Sequence, residues 1–178
     1  MALISEQYAK ENANQHAKGD GYGERGYKHL EDILHVVRRE GCKTALDYGC
    51  GKASLARRAK RVCEVAFANY DPAIEEYAGA PSPADLVVCT DVLEHVEPLC
   101  LNDVMAHLQE LTQVAAYLQI ATRPALRVLS DGRNAHLLIR DAYFWLDTLR
   151  RFFDITDMRV MPGHSVVFVC KPMGSVYK

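Results

Sequence analysis

The chain has 178 residues, 49% of them hydrophobic and 25% charged, with a formal net charge of −2. That length suits one domain that buries a core without metal or disulfide staples, and we read 1–178 as a single domain in which an N-terminal helix and loop (1–26) precede a core over 27–178. No apolar run approaches the roughly 20 residues of a membrane span, no basic segment leads an apolar one at the N-terminus, and the charge balance argues against strong generic affinity for nucleic acid, which is mostly phosphate neutralisation.

Residues Ser5 to Ala17 are expected to form a helix with Ser5 as its N-cap. Gly19-Asp20-Gly21-Tyr22-Gly23 then breaks the chain. This loop reads either as a plain linker or as a lid over a ligand, with Tyr22 or Tyr27 toward substrate. Leu30, Ile33, Leu34 and Val37 recur at helical spacing ahead of Gly41, a stop signal. Thr44 to Tyr48 is a short strand, followed by a glycine turn and a helix carrying Leu55, Ala56 and Ala59. A second strand is expected over about Cys63 to Asn69, ending at Asp71-Pro72. Asp85 to Cys89 is an apolar run suited to a strand buried on both faces.

A helix with the stripe Leu101, Val104, Met105, Leu108 and Leu111 comes next, then a strand over Ala116 to Ala121 and an irregular stretch from Thr122 to Leu137. Tyr143, Phe144, Leu146, Leu149 and Phe152 mark a last helix. Two extended runs, Asp154 to Met161 and Ser165 to Lys171, flank Pro162-Gly163-His164, a hairpin signal. Strands alternating with helices imply an α/β fold: a mostly parallel sheet with right-handed crossovers, helices on both faces and an antiparallel C-terminal hairpin. The six cysteines (42, 50, 63, 89, 100, 170) contain no Cys-x-x-Cys pair and read as buried, reduced thiols of a cytoplasmic protein.

The stretch Thr44 to Ser54 is the most specific. A strand runs into Asp47 and then Gly49 and Gly51, where glycine permits a sharp turn and lets a ligand lie against bare backbone. Asp71 stands 20 residues beyond Gly51, at the end of the next strand. A carboxylate there can accept hydrogen bonds from both hydroxyls of a ribose, because ligands of open α/β sheets bind at the carboxyl ends of strands. Ser54 breaks the dinucleotide fingerprint and Ala53 breaks the phosphate-loop pattern.

Asp47, Gly49, Gly51 and Ala53 resemble the first motif of the Rossmann-like (class I) S-adenosylmethionine-dependent methyltransferases, acid-x-Gly-x-Gly-x-Gly, with Ala53 in place of the third glycine. Asp91-Val92-Leu93-Glu94-His95 resembles the fourth motif of small members. The resemblance spans about residues 28 to 172 and implies a six- or seven-stranded sheet. It also implies S-adenosylmethionine as cofactor, held by Asp47, Tyr48, Gly49, Cys50, Gly51, Asp71, Pro72, Asp91, Val92 and Leu93, with Asp47 near the amino group of the methionine part. Only 13 residues separate Asp71 from Asp85, where the family fits a helix and a further strand, so a shortened third-strand region is expected.

Methyl transfer to oxygen or nitrogen is an in-line displacement that needs alignment and exclusion of water. A nucleophile that must lose a proton also needs a base within reach. His95 and His136 are the candidates, beside Glu94; His95 serves either as that base or as a brace for its loop. Tyr22, Arg123 and Arg133 are the expected substrate contacts, whereas Arg57, Arg58, Lys60 and Arg61 read as a solvated helix face. The implied acceptor is a small or nucleotide-like molecule. Asp91, Glu94, His95 and His136 also resemble the metal set of the small-RNA 3′-terminal 2′-O-methyltransferases, which makes an RNA end with a divalent cation the alternative. Two others are a cofactor-binding regulatory subunit without turnover and another adenosine-ligand enzyme on the same scaffold.

Overall fold

A computed structural model describes residues 2–18, 21 and 23–175. Tyr22, an expected substrate contact, and Gly19 and Asp20 of the candidate lid lie outside the described residues. Six strands form one sheet: β1 (Thr44–Tyr48), β2 (Ala66–Tyr70), β3 (Ala84–Thr90), β4 (Thr112–Ala121), β5 (Phe153–Met161) and β6 (Ser165–Pro172). Their order is β2-β1-β3-β4-β6-β5. The first four are parallel, and β6 runs antiparallel to both β4 and β5. Between Asp71 and Ala84 there is only a 3₁₀ turn, Glu75–Tyr77, so β2 is the sheet edge, as the short spacing implied.

Alternation along each strand sends side chains to two cores. Leu46, Val87, Cys89, Leu118 and Phe168 face α4 (Leu101–Leu111) and α5 (Ala142–Leu149). Ala45, Leu86, Val88, Tyr117 and Val169 face α2 (Leu30–Glu40) and α3 (Ser54–Ala59). Gly41 ends α2 in the left-handed region, φ 71°, which glycine adopts without a Cβ penalty. No helix among the described residues is long and apolar enough to cross a membrane.

Three element boundaries and one buried face differ from expectation. Strand β2 starts at Ala66, not Cys63, because Val62 and Cys63 close a turn by donating to the Ala59 carbonyl. Strand β4 starts at Thr112, directly after α4, with the Thr112 hydroxyl bonded back to the Leu108 carbonyl. Phe152 lies past the end of α5, in a turn onto Leu149. On α5 the buried residue is Trp145, 0% exposed, whereas Tyr143 is 74% exposed. All six cysteines are free thiols, and five are buried, Cys63 being intermediate.

Helix α1 (Glu6–Ala17) packs far from its sequence neighbours. Its N-cap Ser5 accepts from Tyr8 N–H, and the Ser5 amide and hydroxyl donate to the two carboxylate oxygens of Glu97 at 2.7 and 2.8 Å. The Glu11 carboxylate accepts from the Ser130 amide and hydroxyl, Gln15 accepts from Arg127, and Tyr8 packs on Leu129 and Ala135.

Candidate active site

A cavity of about 840 Å³ opens where β1, β2 and β3 end. The chain turns from β1 outward to β2 and then crosses back to β3, so the two crossovers diverge here and leave a crevice. The first half of the cavity is made by the turn after β1. Gly49 and Gly51 adopt φ 76° and 52°, and among the described residues Ala53 and Asp91 are the two non-glycines with positive φ, both at 53°. A left-handed backbone at a residue with a Cβ is strained, and such positions gather at functional sites. The amides of Gly49 and Cys50 donate to the Tyr70 carbonyl. A Cβ on Gly51 would lie 2.7 Å from the Gly23 backbone, which itself accepts from the Lys52 amide at 3.0 Å.

Asp71 closes this half. One carboxylate oxygen accepts from Gly51 N–H and the other from Ala73 N–H, both at 3.0 Å. Each oxygen retains a lone pair for a further donor. Asp47 is buried, and no described residue donates to its side chain. Burial, and then the nearby Asp71 charge, push its carboxyl up to about 7.

The second half is built from distant segments. One face of α1 supplies Tyr8, Asn12 and His16 at four-residue spacing. The loop after β4 supplies Arg123 to Arg127, and the β5–β6 turn supplies His164 and Ser165. Between the halves stand Asp91 and Val92, with the Asp91 amide donating to Gln119. His95 and His136 meet edge to face, with ring centroids 4.7 Å apart. His95 Nδ1 is 2.8 Å from the Ala135 carbonyl and His136 Nδ1 is 2.6 Å from that of Arg123. A carbonyl only accepts, so both Nδ1 atoms carry the proton and Nε2 is the lone-pair nitrogen in each ring. Burial, and then the neighbouring His136, lower His95 to about 4.

Of the expected cofactor contacts, Asp47, Tyr48, Gly49, Cys50, Gly51, Asp71, Pro72, Asp91 and Val92 line the cavity, as do His95, His136 and Arg123. Three residues do not. Leu93 belongs to the core packed on α4 and is 0% exposed. Arg133 is held by Asp131 at 2.6 Å, away from the cavity. Glu94 lies beneath the wall: one oxygen accepts from Ala121 N–H, the other is buried without a hydrogen-bond partner among the described residues, and burial raises its carboxyl well above the usual range. Sequence reasoning missed Tyr8, Asn12, His16, His29, His164 and Ser165. For the first three the repeat of positions 8, 12 and 16 along α1 was the available signal, since it places one helix face against something.

No protein-family model matches the sequence, and no curated protein matches it. Solved structures do match its fold. The 1,6-didemethyltoxoflavin N1-methyltransferase of Burkholderia thailandensis, crystallised with 1,6-didemethyltoxoflavin and S-adenosylhomocysteine, aligns at TM-score 0.70 with 14% identity, over 97% of this chain and 92% of that one. DhpI, solved as its SAH complex, aligns at 0.66 with 12% identity over 95% and 98%. Magnesium protoporphyrin IX methyltransferase of Synechocystis PCC 6803, with bound SAM, aligns at 0.61 with 14% identity over 93% and 94%. The chain therefore has the fold of the class I S-adenosylmethionine-dependent methyltransferases.

Proposed function

We propose that this protein is an S-adenosylmethionine-dependent methyltransferase that methylates an oxygen or nitrogen atom of a small-molecule or nucleotide-like acceptor. The observation that carries the reading is the pairing of Asp71 with the Gly51 amide across the mouth of β1 and β2. That bond locks bare backbone and a carboxylate with spare lone pairs into one crevice, the arrangement that suits an adenosine ribose. Asp47 fits the same ligand, because an ammonium group beside this unpartnered carboxyl restores its charge. When bound, the cofactor supplies a methyl group on a positively charged sulfur.

The chain's own residues then do three things. Asp71 and the glycine turn fix the nucleoside, which aligns the reacting centre. Val92 and α1 exclude water from the middle of the cavity. His95 Nε2 stays unprotonated down to about pH 4, so it accepts a hydrogen bond from an acceptor O–H or N–H and takes its proton only from an acidic one. His136, beside it, is the second proton acceptor.

Calorimetry with S-adenosylmethionine, S-adenosylhomocysteine and NAD tests the reading. The two sulfur nucleosides are expected to bind more tightly than about 1 mM and NAD not to. Their affinity should fall as pH drops below 7, where Asp47 holds its proton. Equal binding of NAD, or none of the three, rejects the proposal. A product-release assay across acceptor pools then separates an enzyme from a binding subunit.

One observation favours a second reading. Glu94, His95 and His136 each offer a donor atom within 4.8 Å of the others. Both imidazoles have Nδ1–H tied to a backbone carbonyl, which is how metal-ligating histidines are oriented. Asp91 is not part of this trio. A divalent cation there would orient acceptor hydroxyls, as at an RNA 3′ end. Titration with Mn²⁺, Co²⁺ or Zn²⁺ is expected to raise the melting temperature if the cation binds; an unchanged melting temperature and activity exclude it.

A further inference from the structure

Charged groups line the cavity at both of its ends. Asp47, Asp71 and Asp91 line the cavity at the ends of β1, β2 and β3, whereas the permanently charged Arg123 lines the end made by the loop after β4, beside the imidazoles of His136 and His164. The one acid on the α1 side, Glu97, has both oxygens engaged by Ser5. Arg123 is one of three arginines that line the cavity, with Arg25 and Arg127, and it is bonded to an imidazole. Its guanidinium donates to His164 Nε2 at 3.1 Å, and no carboxylate lies within ion-pair distance among the described residues.

The imidazole that receives this bond is locked in place. With Nε2 accepting, His164 Nδ1–H donates to the Ser165 hydroxyl at 2.9 Å, and that hydroxyl points its own proton at Met161 sulfur, 3.7 Å away. Ser165 sits on β6 and is 1% exposed. The chain of bonds has one consistent direction, from the guanidinium through the imidazole and hydroxyl to the sulfur. A planar, permanently charged fork is thus held at the cavity rim by an imidazole, with most of its five donors unspent. Apolar groups line the cavity too: Pro124, Ala125 and Leu126 follow Arg123 directly in the chain, Ile4 packs in the same cluster as Ala125, and Leu126 is fully exposed.

We infer that the methyl acceptor is a small organic acid or phosphate ester with an apolar or aromatic body, its anionic group seated on Arg123. The inference rests on the methyltransferase reading. An arginine fork matches carboxylate and phosphate oxygens two at a time, and such charge-assisted pairs are the strong ones. The body of the acceptor would lie along the apolar strip, which points its far end at His95 and His136.

The test compares three ring compounds, benzoate, phenyl phosphate and neutral phenol, each titrated by NMR or calorimetry into protein saturated with S-adenosylhomocysteine. At least one anion is expected to bind tenfold or more tightly than phenol, and Arg123→Gln should erase that margin while leaving S-adenosylhomocysteine affinity within twofold. Which anion wins identifies carboxylate or phosphate as the natural group. Phenol binding as well as both anions, no binding by any of the three, or a margin that survives in Arg123→Gln overturns the inference. His164→Ala provides a second arm if Arg123→Gln melts early: it frees the guanidinium, keeps the charge, and should narrow the margin only about threefold. Failure of S-adenosylhomocysteine to bind rejects the methyltransferase reading instead. The same three titrations on the protein alone would still judge the anion site.

Discussion

The half of the cavity proposed for the cofactor and the half proposed for the acceptor are built in different ways. In the first, the atoms that matter come from two strand ends and the turn between them, and many are backbone: Gly49, Cys50 and Gly51, with Asp71 bonded to the Gly51 amide. In the second, they are side chains from three separate segments, α1, the loop after β4 and the β5–β6 turn, the first more than a hundred residues from the other two. Backbone shape follows from local residue types, whereas a wall of side chains exists only once α1 has docked through Glu97, Ser130 and Arg127. A local turn can be kept while a docked wall is altered, so the first half suits a constant ligand and the second a variable one.

Three experiments would break or sharpen that contrast. The largest effect is expected from Asp71→Ala, which removes two charge-assisted hydrogen bonds worth about 2 kcal/mol each. S-adenosylhomocysteine affinity should fall about a thousandfold by calorimetry; a loss under tenfold would show that the carboxylate does not hold the nucleoside.

Next is His95→Gln, read as stability against pH. His95 falls from 6.5 in the unfolded chain to about 4 when folded, so between those values the unfolded chain binds the extra proton. Its neutral burial is therefore compatible with full stability above pH 6.5, and stability is lost as pH falls toward 4. The loss amounts to about 3 kcal/mol. The raised Glu94 and Asp47 carboxyls act in the opposite sense, since stability drops as pH rises above their unfolded values. The difference between wild type and variant isolates the histidine: urea denaturation at pH 4.5 and pH 7 should show a shallower acid loss in His95→Gln, and parallel curves would contradict the buried neutral ring.

The smallest effect is expected from Glu97→Ala, which unties the N-cap of α1. Amide exchange over 6–12 should quicken roughly tenfold, the equivalent of about 1.4 kcal/mol of local stability, with S-adenosylhomocysteine affinity changed less than threefold. If affinity falls in step with exchange, the two halves form one unit and the contrast fails.

How much of this could be read beforehand varies with the element. Strand β1 and helix α4 matched their patterns to the residue, because a short apolar run between turn signals and a five-residue stripe leave little choice. The glycine turn was legible for the same reason, although Ala53 proved to need a left-handed backbone and not merely a small side chain. Trp145 was overlooked in favour of Tyr143 because periodicity alone does not say which edge of an apolar face turns inward. Arg133 and Arg123 look alike as letters. Asp131, two residues before Arg133, captures one of them, and only the folded loop shows that His164 meets the other.

The amino-acid sequence by itself determined the alternation of strands and helices, the antiparallel final pair, the short edge after Asp71 and the turn that suits a nucleoside. Each depends on residues within a few positions of one another, where spacing and backbone preference act directly. Tertiary structure alone decided that α1 walls the cavity, that Leu93 and Glu94 are buried while His95 reaches His136, and that the Arg123 guanidinium at the rim meets an imidazole and no carboxylate among the described residues. These are contacts across long stretches of chain, set by which faces pack together, and no local pattern encodes them.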